Sequence, residues 1–152
     1  MKKRIFFLVI IILALFQVTI LDFFKLWNVK PDLLLVCAVF SGLFFELKYA
    51  LLFGLWAGFL KDTLSVNTFA LNVFYFPVLA FLTNRLIKKI PIETAPIRMA
   101  LIFVSVVLVS LLNKFFQSSG ENYITLGIYL RVTLLESLYT ALASSLIFKI
   151  IR

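Results

Sequence analysis

Charged side chains stand so far apart along this sequence that uncharged, largely apolar runs fill most of the space between them. Residues 5–21 carry no charge, and further uncharged runs cover 33–45, 49–60, 63–84, 99–113 and 122–130, the last continuing past Arg131 and Glu136 to Phe148. A soluble domain needs about 25% charged residues and roughly 45–50% apolar ones, whereas this chain has 14% and 63%. A water-soluble globule is therefore excluded, and an integral membrane protein remains. At about 20 residues per span, the 152 residues leave room for five to seven helices and little else.

The sign of the flanking charges sets the number and direction of the spans. The N-terminal Lys2, Lys3 and Arg4 precede an apolar run with no small-residue cleavage site after it, so it reads as a retained first helix. The stretch between Asp32 and Asp62 is long for one span and short for two. One span there would put Arg85, Lys88, Lys89 and Arg98 on the outer side, against the positive-inside bias. A turn at residues 46–48 instead gives six spans and ten inner basic residues: Lys2, Lys3, Arg4, Lys48, Arg85, Lys88, Lys89, Arg98, Lys149 and Arg152. Only Lys25, Lys30, Lys61 and Lys114 then lie outside. The expected architecture is an all-α polytopic domain over residues 1–152, with helices near 5–24, 32–46, 49–64, 67–87, 97–116 and 123–150 and both termini cytoplasmic. Helices two and three, at about 15 residues each, are short for a hydrocarbon core near 30 Å and are expected to pack together as a short pair. Pro31 and Asp32 suit the start of helix two, and the loops are too short to bury a core of their own.

Most catalytic constellations are absent. There is no histidine, one cysteine, no Gly-rich phosphate loop and no carboxylate spacing that suits a metal, so no catalytic, cofactor or metal residues are assigned. The net charge of +8 fits basic loops at an anionic membrane surface better than nucleic acid. Cys37 reads as a small packing residue, and the 18 phenylalanines as packing or lipid-facing mass, with Trp27, Tyr49, Tyr123 and Tyr129 near span ends.

Several polar or small residues inside the spans are candidates for function. Gly54 and Gly58, four apart on one helix face, suit close helix approach, either to helix two with Gly42 as counterpart or to a partner subunit. Asp62 ends that helix beside Lys61, Ser65 and Asn67. It reads as a polar helix end or, set below the interface, as an anchor with Asn67 or Lys61 as donor. Helix four carries a polar seam of Thr68, Asn72, Tyr75 and Thr83 with Pro77 inside it, helix six one of Tyr129, Thr133, Glu136, Thr140 and Ser144, and helix five a shorter one of Ser110, Asn113 and Gln117. Glu136 lies deep in helix six, where a carboxylate calls for an interhelical hydrogen bond, a partner helix, or a ligand or proton to handle. Arg131 is five residues earlier, turned away from Glu136 and near enough the outer surface to snorkel.

The order of motifs from Lys30 to Lys89 resembles the bacterial rod shape-determining protein MreD family. It comprises Lys30-Pro31-Asp32 opening an apolar helix, Gly54-Leu55-Trp56-Ala57-Gly58 leading to Lys61-Asp62-Thr63-Leu64-Ser65, then Leu71-Asn72 and a basic exit at Arg85, Lys88 and Lys89. The resemblance implies a non-catalytic inner-membrane scaffold of the cell-elongation machinery, with a fold similar to the substrate-binding subunits of energy-coupling-factor transporters. It implies an MreC-like single-span partner and, in a larger complex, MreB, RodA and a class B penicillin-binding protein. A second copy of the chain is a further partner to consider, and membrane lipid surrounds the whole. On this reading the docking surface is the Gly54/Gly58 face or the polar seams. The alternative is a vitamin-type transporter subunit whose cavity is lined by Asn72, Tyr75, Thr133 and Glu136.

Overall fold

The computed structural model describes residues 3–19, 23, 29–64, 70–90, 94–117 and 125–151. Lys25, Trp27, Ser65, Asn67, Thr68, Tyr123 and the side chain of Gln117 lie outside that set. The described residues form an all-helical bundle of α1 (Lys3–Thr19), α2 (Leu33–Phe44), α3 (Leu47–Leu64), α4 (Asn72–Ile87), α5 (Ala95–Gln117) and α6 (Leu126–Ile151). Two stretches, Ala95–Phe116 and Leu126–Lys149, are long and apolar enough to cross a membrane, while α2 and α4 are shorter apolar helices.

Three expected boundaries are corrected. The first helix does not reach residue 24, because Phe23 lies in a turn. Helix three is longer than expected: it starts at Leu47 and runs 18 residues, so α2, with 12, is the shortest of the six. Helix four starts at Asn72, Ala70 and Leu71 being non-helical.

At 1.5 Å per residue α2 is ~18 Å long, against a hydrocarbon core of about 30 Å. Its position accounts for its survival in the bundle. Every residue from Leu33 to Leu43 is buried, and α2 packs against the other five helices. Its uniformly apolar sequence follows from this, since no face meets lipid or water. The head of α2 lies inside the protein and its C-terminal end opens onto the exposed Phe44 and Glu46, yet at both ends side chains from other helices satisfy orphan backbone groups. At the C-terminal end, the Asn84 side-chain amide on α4 donates to the carbonyls of Gly42 (3.0 Å) and Phe45 (2.9 Å). The Ser41 hydroxyl reaches the carbonyls of Ala38 (2.7 Å) and Ala50 (3.2 Å) and ties α2 to the start of α3.

Glycine sets how α4 joins this core. A Cβ on Gly42 would lie 2.5 Å from the Ala80 carbonyl oxygen, and one on Gly54 2.9 Å from that of Phe76; one on Gly58 would overlap the Asn72 carbonyl. The α4 backbone thus rests on three glycines, one from α2 and two from α3. The expected pairing of Gly54 and Gly58 with helix two is corrected: their face is closed by α4 of the same chain. The spacing identifies a close-approach face but not the helix that approaches it.

The phenylalanines are less scattered than the sequence suggests. Phe6 of α1 stacks on Phe40 and meets Phe45 and Phe53, and Phe148 of α6 lies 5.1 Å from Phe40. This aromatic knot sits at the end of the bundle where α1, α3 and α5 begin and α2, α4 and α6 finish. Lys3, Arg4, Lys48, Arg85, Lys88, Lys89, Arg98 and Lys149 gather at the same end. Outward, α1 exposes Ile5, Leu8, Ile12 and Leu15, and α6 exposes Leu134, Leu138, Leu142 and Leu146. Apolar stripes this long suit a lipid environment rather than water.

Candidate functional site at the head of a buried helix

The N-terminal end of α2 also carries orphan backbone groups, and the buried Gln17, Asp32 and Thr140 gather around it. Asp32 is the N-cap, its Oδ1 accepting the Leu35 N–H at 3.1 Å. The Gln17 side-chain oxygen, from α1, accepts the Leu34 N–H at 3.2 Å. The Asp32 N–H donates to the Thr140 hydroxyl at 3.0 Å, so the head of α2 meets α6 near the midpoint of that helix. The second Asp32 oxygen accepts from the Lys61 ammonium of α3 in an ion pair, with the Asp32 side chain only 4% exposed. The ammonium also lies 5.3 Å from the Phe76 ring centroid on α4. Four helices therefore meet at one carboxylate–ammonium pair, and α1 caps the same helix end through Gln17.

Asp62, the next residue, points to a different helix. Adjacent helical positions diverge by about 100°, so a Lys-Asp dipeptide can serve two neighbours. Asp62 Oδ1 accepts from the Asn72 side-chain amide at 2.7 Å and lies 3.4 Å from the Asn72 backbone nitrogen, while Oδ2 accepts the Val73 N–H at 2.9 Å. Leu71, at the α4 N-cap, supplies no side-chain cap, so the carboxylate from α3 takes that role at the positive end of α4. The expectation of Lys61 as donor to Asp62 is corrected. Lys61 is committed to Asp32, Asn67 is outside the described residues, and Asn72 with Val73 holds the carboxylate.

Glu136 lies one turn before Thr140 on the same face of α6 and is close enough to Asp32 and Lys61 to feel both charges. Thr133, Ser137, Thr140 and Ser144 are buried along this seam. Arg131 is exposed and separate from the cluster. Tyr75 is half-buried on α4, with its hydroxyl lacking a hydrogen-bond partner, and Thr83 bonds back to the Leu79 carbonyl of its own helix. The structure thus joins Asp62 to Asn72, leaves Glu136 within electrostatic range of the Asp32–Lys61 pair without a bond to it, and leaves Gly54 and Gly58 beneath α4.

The Asp32–Lys61 pair and the Gln17 cap were missed by the sequence reading. The pair spans 29 residues, beyond any local spacing rule, but one signal existed. A lysine at the end of an apolar helix needs a carboxylate, and Asp32 opens the neighbouring helix.

Two clefts lie outside this cluster. One, of about 350 Å³, separates α4 from α5, which barely touch; it is almost wholly apolar and includes Leu79, Leu82, Leu86, Ile97, Val104 and Leu108. The other, of about 300 Å³, is lined by Ala95, Arg98 and Met99 of α5 and by Ser145, Phe148 and Lys149 of α6. Neither is lined by Asn72, Tyr75, Thr133 or Glu136. Among the described residues no group of three or more Cys, Asp or Glu side chains is placed to hold a metal ion.

The chemistry of the site is that of a joint. Asp32 caps the short helix α2 and is tied to α3 by Lys61, while Asp62, from α3 itself, caps α4. No curated protein and no solved structure matched the chain. The family described as rod shape-determining protein MreD matches residues 1–151, essentially its whole length. With that match over essentially the whole chain, and with two helices long and apolar enough to cross a membrane, the chain belongs to the MreD family, membrane proteins with a role in rod shape determination.

Proposed function

We propose that this protein is a non-catalytic scaffold subunit of the bacterial inner membrane that docks the single transmembrane helix of an MreC-like protein. Through that partner it helps couple MreB filaments to peptidoglycan synthesis by RodA and a class B penicillin-binding protein. The chain forms one domain of six spans with both termini cytoplasmic, in a fold of the kind used by energy-coupling-factor substrate-binding subunits. Alternation of the six helices, with the basic residues collected at one end of the bundle, supports this topology.

The observation that carries the docking proposal is the cleft between α4 and α5. Helices α2, α3 and α4 are locked together by glycines and buried hydrogen bonds, so their shared faces are not free for a partner. The cleft is open, apolar and bordered by small or flexible side chains such as Ala100, Ser105 and Leu108. Within hydrocarbon, association depends on close packing rather than on a hydrophobic force, so an unfilled groove is a better docking surface than a flat lipid face. The connections described above are too short to offer an alternative surface.

Co-purification in mild detergent tests this. Val104→Trp, from a residue that is 60% exposed, fills the cleft and is expected to abolish recovery of the MreC-like partner. Leu138→Trp, on the lipid-facing side of α6, is expected to leave recovery intact. Equal recovery with both variants would remove the cleft from the proposal.

A further inference from the structure

The second cleft carries an independent assignment, which rests on the chain lying in a membrane and not on the docking of any partner. It opens at the basic end of the bundle, between the first turns of α5 and the last turns of α6, with about 300 Å³ of space. Two cations line it, Arg98 and Lys149, together with the Ser145 hydroxyl. Among the described residues no carboxylate pairs with either cation. The Arg98 guanidinium lies 5.0 Å from the centroid of the Phe148 ring, and Phe148 is buried, so the arginine is held against a fixed plane. Its Nε is buried and has no acceptor among the described residues. A buried guanidinium nitrogen without an acceptor is costly, and such a donor points to an acceptor supplied from outside the chain.

We propose that this pocket binds the phosphate of an anionic glycerophospholipid. A planar guanidinium fork matches two phosphate oxygens, a nearby ammonium adds charge, and a serine hydroxyl can donate to a third oxygen. The lipid source follows from what surrounds the pocket. Leu142 and Leu146 of α6 are 61% and 66% exposed just below it, an apolar surface on which acyl chains can lie while the headgroup sits among the cations. A soluble phosphate compound would make no use of that surface.

Native mass spectrometry of the full chain in detergent provides the test, with phosphatidylglycerol, phosphatidylcholine and soluble glycerol phosphate as separate probes. The expected result is one tightly retained phosphatidylglycerol per chain, in preference to phosphatidylcholine, with glycerol phosphate failing to bind or displace it. Arg98→Gln combined with Lys149→Gln is expected to reduce the preference by about tenfold to thirtyfold. Lys149→Gln alone should give a partial loss, and it leaves the Arg98–Phe148 contact in place should the double variant fold poorly. Arg98→Lys, which keeps the charge but not the fork, should also lose part of the preference. Lys88→Gln with Lys89→Gln removes the same charge from the same end and should change retention far less. An unchanged preference in the Arg98/Lys149 variant, an equal loss in the Lys88/Lys89 variant, or glycerol phosphate binding as tightly as the lipid would each overturn the assignment.

Discussion

A lysine and an aspartate at successive positions, 61 and 62, serve two different helices, and this division of labour has a measurable energetic signature. Lys61 neutralises Asp32, whose side chain is 4% exposed and whose other oxygen caps α2. Removing one member of a buried ion pair strands the other charge, at a cost of about 3–5 kcal/mol, whereas removing both charges is far milder. Lys61→Met is therefore expected to lower thermal stability in detergent strongly. Asp32→Asn together with Lys61→Met should recover most of the loss, because Asn is also a good N-cap. Thermal unfolding of the two single variants and the double variant checks this; a double variant as unstable as Lys61→Met would mean that the pair is not the joint described here.

At the scale of elements, the structure turns on how closely α4 approaches α2 and α3. Gly58→Ala forces a methyl group into the Asn72 carbonyl and is expected to destabilise the bundle by about 1–3 kcal/mol. Gly127→Ala, at a position where an added Cβ meets nothing within 4 Å, should be neutral or stabilising by up to about 1 kcal/mol. Thermal melts of the two variants make the comparison, and equal effects would contradict the backbone contact. The contrast also marks how far the sequence was legible. Uncharged runs and the positive-inside bias of the basic residues point to six helices, although the expected turn at residues 46–48 closes earlier, with α3 starting at Leu47; Pro31-Asp32 marks the head of α2 by a local signal. Gly54 and Gly58 announce a close-approach face, yet their partner is set by the packing of the whole bundle. The same limit hid the Gln17 and Asn84 caps, whose backbone partners lie 17 and roughly 40 residues away. Candidate residues were thus recognisable as polar or small, while their pairings were not.

For the whole molecule, α2 is held at both ends by side chains from other helices, and α5 and α6 form a hairpin closed by Tyr129 donating to the Ser110 carbonyl. The interior is occupied by the chain's own contacts, which leaves its outer clefts and its basic end for interaction with other molecules. The proposed scaffold requires the basic end to face the cytoplasm, and cysteine accessibility in intact cells tests that most directly, in a Cys37→Ala background. Phe23→Cys, at a residue that is 91% exposed at the opposite end, should react with a membrane-impermeant maleimide in spheroplasts. Lys88→Cys should react only after the membrane is opened; labelling of Lys88→Cys in sealed spheroplasts would contradict the topology on which the proposed scaffold depends.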